Sequence, residues 1–256
     1  MYSPAERSEL RDALVAAARA DERLSGVAVF GSAALGQEDR WSDVDLAFGV
    51  TDSEQLSTAL AGWTASMYSG HGAVHHVDVM AGDSVYRVFL LSNTLQVDLA
   101  FSPAKAFGAR GPKFRLLSGS AADWQPAPPT EPQPLIGMGW LHALHARSAL
   151  ARGRRWQAEY MISGVRDHAL ALACLRYGLA TAQGRGVDHL PKPLLTAYED
   201  SLIRSVEIPE LQRAFGASVD HLLQEAREAD ATLADRLAVP VSEIASSIPN
   251  DDPERN

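Results

Sequence analysis

The chain has 256 residues and 46% apolar content, enough for one large or two small packed domains, which excludes a disordered polymer. Its 32 acidic residues against 23 basic ones give a net charge of −9, which excludes a protein that coats duplex nucleic acid by neutralising phosphates. The single cysteine, Cys174, excludes an intrachain disulfide framework and a Cys-rich zinc site, and within the apolar run from Ala169 to Leu179 it reads as a small buried hydrophobe.

In chain order, Ser3, Pro4 and Glu6 spell a helix start: an N-cap hydroxyl, a proline at the first helical position and the glutamate of a capping box. Neither this amino-terminal stretch nor any later one has an apolar run long enough to span a bilayer, so the expectation is a cytoplasmic protein with no membrane partner. Gly26 to Phe30 and Ser42 to Val50 read as strands, and Asp52 caps a helix that ends near Gly70. Three more strands follow, over Ala73–Met80, Ser84–Ser92 and Leu95–Pro103, with a turn at Gly82-Asp83 and another at Asn93. The first half is therefore expected to be α+β, a small mixed sheet carrying one or two helices.

Five prolines between Pro126 and Pro134 mark a boundary. Beyond them the apolar residues recur at helical spacing over four stretches between Met138 and Leu237, the pattern of an all-helical bundle. The expected organisation is an α+β domain over 1–122, a linker over 123–134, a helical domain over 135–240 and a tail over 241–256. The polar, proline-containing end from Ser246 to Asn256 is expected to be poorly ordered.

The chemistry concentrates in Gly31–Val50. If Ser42–Leu46 is extended, Asp43 and Asp45 point to one face of the sheet, where they repel each other unless a cation sits between them. Oxygen ligands this dense suit a hard divalent ion, and Mg²⁺, which bridges to phosphate, is the natural choice. Upstream, the Gly31-Ser32 turn offers backbone N–H groups and a hydroxyl that can cradle phosphate oxygens. A third carboxylate would complete a two-metal site. Asp98, flanked by apolar residues on a long strand, is the first choice, and Asp78, in similar local surroundings, is its rival.

Phe30-Gly31-Ser32, the Ser42–Leu46 segment "SDVDL" and the distal "VDL" of Val97–Leu99 together resemble the polymerase-β-type nucleotidyltransferase superfamily, over about residues 26 to 102. The resemblance implies two Mg²⁺ ions on Asp43, Asp45 and Asp98, with Gly31 and Ser32 holding a nucleoside triphosphate. A catalytic domain followed by a helical one narrows it toward the aminoglycoside and lincosamide adenylyltransferases. In those enzymes a small hydroxylated acceptor occupies the cleft between domains and attacks the α-phosphorus of ATP. Two other readings stay open: a toxin–antitoxin-type adenylyltransferase of a protein or RNA, and a nucleotide-binding module without chemistry.

Further candidates are placed by residue type. Arg40 is within reach of a triphosphate, or is a solvated loop arginine; Ser42 joins the nucleotide site, or only caps the turn before Asp43. Lys105, Arg110, Lys113 and Arg115 lie in a glycine-containing stretch taken as a loop, and Lys113 is the one named for phosphate binding. On the helical side, Arg155, Glu159, Ser163 and Arg166 make a polar stripe apart from the apolar stripe of Met161, Val165, Ala169 and Leu172. Glu159 is the candidate base for the acceptor hydroxyl, with Trp156 or Tyr160 stacking on a ring; an exposed, salt-bridged face is the competing account. His75 and His76 alternate to opposite faces and read as structural, and Gly184–Pro191 lacks the ending of a phosphate loop.

Overall fold

The computed structural model describes residues 1–123, 126 and 128–247, and the remaining tail residues expected to be disordered, 248–256, lie outside the described residues. The chain divides into two compact units, Met1–Pro128 and Pro129–Asn256.

In the first unit, α1 (Pro4–Ala20) starts on the capping box: the Glu6 N–H donates to the Ser3 hydroxyl at 3.2 Å and the Ser3 N–H to the Glu6 carboxylate at 2.7 Å. The strands are β1 (Leu24–Phe30), β2 (Val44–Val50), β3 (Ala73–Ala81), β4 (Ser84–Leu91), β5 (Gln96–Pro103) and β6 (Phe114–Gly119); α2 (Gly31–Leu35) follows β1, and α3 (Leu56–Gly70) follows β2. They form one six-stranded sheet in the order β3-β4-β5-β2-β1-β6. Only β2 and β5 run parallel, so the sheet is mixed, and the fold class is α+β.

Alternation divides the two faces of this sheet. Leu46, Phe48, Leu99 and Phe101 point to one side and pack with Leu14 of α1 and Trp63 and Met67 of α3. The Phe48 ring lies 4.6 Å from Trp63 and 5.1 Å from Phe101. The other face carries small residues, Ala28, Ala47 and Ala100, packed against Phe107. Gly49 is required here, because a Cβ on it would lie 2.7 Å from the Phe107 ring.

The stretch from Lys105 to Arg115 corrects one expectation. It is not loop throughout: Phe114–Gly119 is β6, paired antiparallel with β1 from Phe30↔Phe114 to Gly26↔Gly119. The strand is short and half-exposed at the sheet edge, so it carries little of the apolar alternation that marks an interior strand.

The second unit is helical: α4 (Pro132–Ala151), α5 (Arg155–Arg176), α6 (Lys192–Tyr198), α7 (Ile208–Ala229) and α8 (Ala231–Ser246), with short 3₁₀ turns between α5 and α6. Val165, Ala169 and Leu172 of the apolar stripe are fully buried with Ile162, Phe215 and Leu222. Two helix ends differ from the sequence reading. α4 begins inside the proline run, because the first turn needs no N–H from Pro132 or Pro134. α8 continues past residue 240 with Pro240 inside it. Among the described residues no helix is long and apolar enough to cross a membrane.

Candidate active site

Asp43 stands just before β2, Asp45 within it and Asp98 within β5. Because β2 and β5 are parallel and in register, Asp45 lies directly beside Asp98. Each of the three carboxylates places an oxygen within 4.8 Å of the others. Asp45 is 8% exposed and the other two are half-buried, on the small-residue face of the sheet. Three carboxylates drawn out of water at this spacing repel one another, and the arrangement is stable only with positive charge or donors among them. Gln96 supplies donors: its side-chain amide donates to Asp98 Oδ1 at 2.9 Å and to Asp43 Oδ2 at 3.3 Å. An all-oxygen, all-anionic donor set fits a hard divalent cation such as Mg²⁺ and offers nothing to a soft one. Asp43, Asp45 and Asp98 are the residues that would hold it.

Gly31 closes the site from the β1 side. Its φ is +65°, and a Cβ there would sit 2.0 Å from Asp45 Oδ2, so no other residue brings the backbone this near the carboxylate. Ser32 follows in the first turn of α2. The nucleotide loop expected from the sequence therefore abuts the carboxylates.

The loop from α2 to β2 is strapped to α1 by residues the sequence reading passed over. Arg11 donates to both oxygens of Glu38 at 2.7 Å. Arg7, only 6% exposed, lies 3.3 Å from Glu38 through Nε, an ion-pair contact without hydrogen-bond alignment, and donates to the carbonyls of Asp39 and Ser42. Tyr2 donates to the same Ser42 carbonyl at 3.0 Å. The chain thus enters Asp43 on a fixed path. A helix-borne arginine has no local signature for such a long-range role, which is why the pattern of α1 alone did not expose it.

The remaining candidates are placed as follows. The Ser42 hydroxyl accepts the Asp39 N–H at 2.9 Å and donates to Asp39 Oδ1 at 3.1 Å, so it caps the turn. The Trp41 N–H, donating to Asp39 Oδ1 at 2.8 Å, and then the Ser42 hydroxyl hold the Asp39 carboxyl below the usual range. Arg40 is exposed and lies over the Trp41 ring at 4.7 Å. Asp78, the rival third carboxylate, is on β3 and is paired with Arg87 by two bonds of 2.6 and 2.7 Å, which lower its pKa. Arg87 also donates to Thr64 of α3, so Asp78 belongs to a hairpin-to-helix clamp, not to the carboxylate cluster.

Lys113 and Arg110 line a cavity on the aspartate face of the sheet; Arg115 instead sits on β6 and donates to the Ala33 carbonyl of α2 at 3.4 Å. Glu159 is in the second unit, on α5, where it accepts a hydrogen bond from Ser163 at 3.0 Å. Around it Arg155 pairs with Glu207 and Arg166 with Asp167, while Trp156 and Tyr160 are 76% and 68% exposed. His76 packs on Tyr68 and Phe89, and Cys174 is buried, with its thiol pushed up chiefly by that burial.

No protein-family model matches the chain, and no curated protein does. Among solved structures, an aminoglycoside 6-adenyltransferase from Bacillus subtilis is similar over 93% of this chain and 98% of its own, at 12% identity and a TM-score of 0.39, values too low to bear on chemistry.

Proposed function

We propose that this protein is a Mg²⁺-dependent nucleotidyltransferase that transfers AMP from ATP to a hydroxyl of a small, antibiotic-like molecule and releases pyrophosphate. The observation that carries the proposal is the convergence of Asp43, Asp45 and Asp98 within 4.8 Å, directly against the left-handed Gly31. When bound, Mg²⁺, as one ion or two, supplies charge neutralisation at the reacting phosphate and favours ionisation of the attacking hydroxyl. The three carboxylates hold that charge in place, fixed by strand register and by the strapped loop before Asp43. Gly31 and Ser32 bring backbone N–H groups and a hydroxyl to the triphosphate without a side chain in the way. The acceptor oxygen forms a bond to the α-phosphorus as the bond to the bridging oxygen breaks, and pyrophosphate leaves with that electron pair. The proton of the attacking hydroxyl passes to solvent water as the new bond forms.

The test is pyrophosphate release from each of the four nucleoside triphosphates with Mg²⁺, across aminoglycosides, lincosamides and other polyhydroxylated compounds. Release should require one triphosphate and one acceptor together, and should fall about a hundredfold or more in Asp43→Asn while the melting temperature holds. Undiminished release in that variant would overturn the assignment of the site. Label transfer to a protein or an RNA end, with none to small molecules, would replace the acceptor class.

A further inference from the structure

The cavity on the aspartate face gives the proposed reaction a subsite for one end of one substrate. It measures about 170 Å³ and starts on Ala47 of β2 and Ala100 of β5. Each alanine follows its strand's aspartate by two residues, so the floor of the cavity begins about 7 Å from the carboxylates, on the same face. Phe30, which immediately precedes Gly31, and Tyr86 of β4 form one wall, their rings edge-to-face at 6.1 Å. The far end holds a pair of buried hydroxyls, Ser84 and Ser102, 2.7 Å apart. Arg110 and Lys113 are the only charged side chains among the lining residues.

Resting on the nucleotidyltransferase reading, we propose that this cavity binds the nucleobase of the triphosphate substrate, and that the acceptor does not enter it. Three features separate the possible occupants. Aromatic walls and an alanine floor suit a flat, weakly polar ring and would desolvate a phosphate at high cost. The hydroxyl pair keeps a hydrogen and lone pairs free to meet the edge of a base, since a hydroxyl rotates to donate or accept. A polyamine acceptor would meet Arg110 and Lys113 with no carboxylate among the lining residues, whereas an uncharged base meets no such repulsion. The separation between floor and carboxylates is spanned by the ribose, which leaves the α-phosphate beside Asp45 and Asp98.

The experiment titrates the full chain with ATP and, separately, with inorganic tripolyphosphate, both with Mg²⁺, by calorimetry. The variants are Tyr86→Ala, which removes one wall, and Ala106→Trp, which fills the cavity from its half-exposed rim without touching the sheet interior. Melting curves check that each is folded. Each variant should bind ATP about tenfold more weakly or worse and tripolyphosphate within about twofold of the wild type. ATP affinity unchanged in both variants would place the base elsewhere and leave the proposed reaction standing. An equal loss for ATP and tripolyphosphate would make the cavity a phosphate site and overturn the base assignment. A wild-type protein that binds no nucleoside triphosphate would overturn the reaction and the subsite together.

Discussion

Gln96 occupies the position two before Asp98 on β5, so its side chain shares the carboxylate face and bridges Asp43 and Asp98 through one amide nitrogen. Replacing it with leucine removes the donors and leaves the repulsion. In metal-free buffer Gln96→Leu is expected to melt about 2–4 °C below the wild type, a cost on the order of 1 kcal/mol, and Mg²⁺ should raise its melting temperature more than the wild type's. Equal Mg²⁺ responses in the two proteins would show that the amide does not relieve the carboxylates. At this scale much was legible beforehand: the spacing of Asp43 and Asp45 follows from strand alternation, and a glycine before Ser32 signals a special backbone. The choice of Asp98 over Asp78 rested only on the length and apolar flanks of its strand. "HHVDVM" and "LQVDLAF" look alike locally, and only the sheet order puts β5 beside β2 and leaves β3 at the edge.

Asp21 shows how elements are joined and how that junction responds to pH. It lies at the end of α1, accepts from the Arg23 guanidinium at 2.7 and 2.8 Å, and accepts from the Trp63 indole of α3 at 2.9 Å. The Arg23 hydrogen bonds, aided by Trp63, lower its pKa from the usual 3.8 to about 2. A carboxyl whose pKa is depressed by folding contributes stability above pH 3.8 and loses it as pH falls through about 2. Asp21→Asn should therefore unfold at lower urea than the wild type at pH 6, and the gap between their midpoints should close by about pH 2. A gap that persists unchanged in acid would show that the charge contributes nothing. Element types were readable where periodicity is strong, as in α1, β2, β5, α5 and α7. They were not readable at β6, where a half-exposed edge strand shows little alternation, nor at the start of α4, where a proline-rich composition masks a first turn that tolerates proline.

Among the described residues, each unit has its own hydrophobic cluster, one around Phe48 and the other around Phe215. Phe48→Ala and Phe215→Ala each remove a fully buried ring and should each cost about 3–5 kcal/mol. Calorimetry is expected to resolve two unfolding steps, Phe48→Ala lowering one and Phe215→Ala the other. A single transition lowered equally by both would mean that the units unfold as one. Sequence alone indicated the period of each half, a break between them and the two aspartates at the start of β2. These are properties of neighbours along the chain, set by backbone geometry and the burial of apolar side chains. Tertiary structure decided the third carboxylate, the Gln96 bridge, the arginine straps from α1 and the cavity beside the carboxylates. Each joins residues separated by roughly 30 to 85 positions, and strand order and register, which only the folded chain possesses, bring them together.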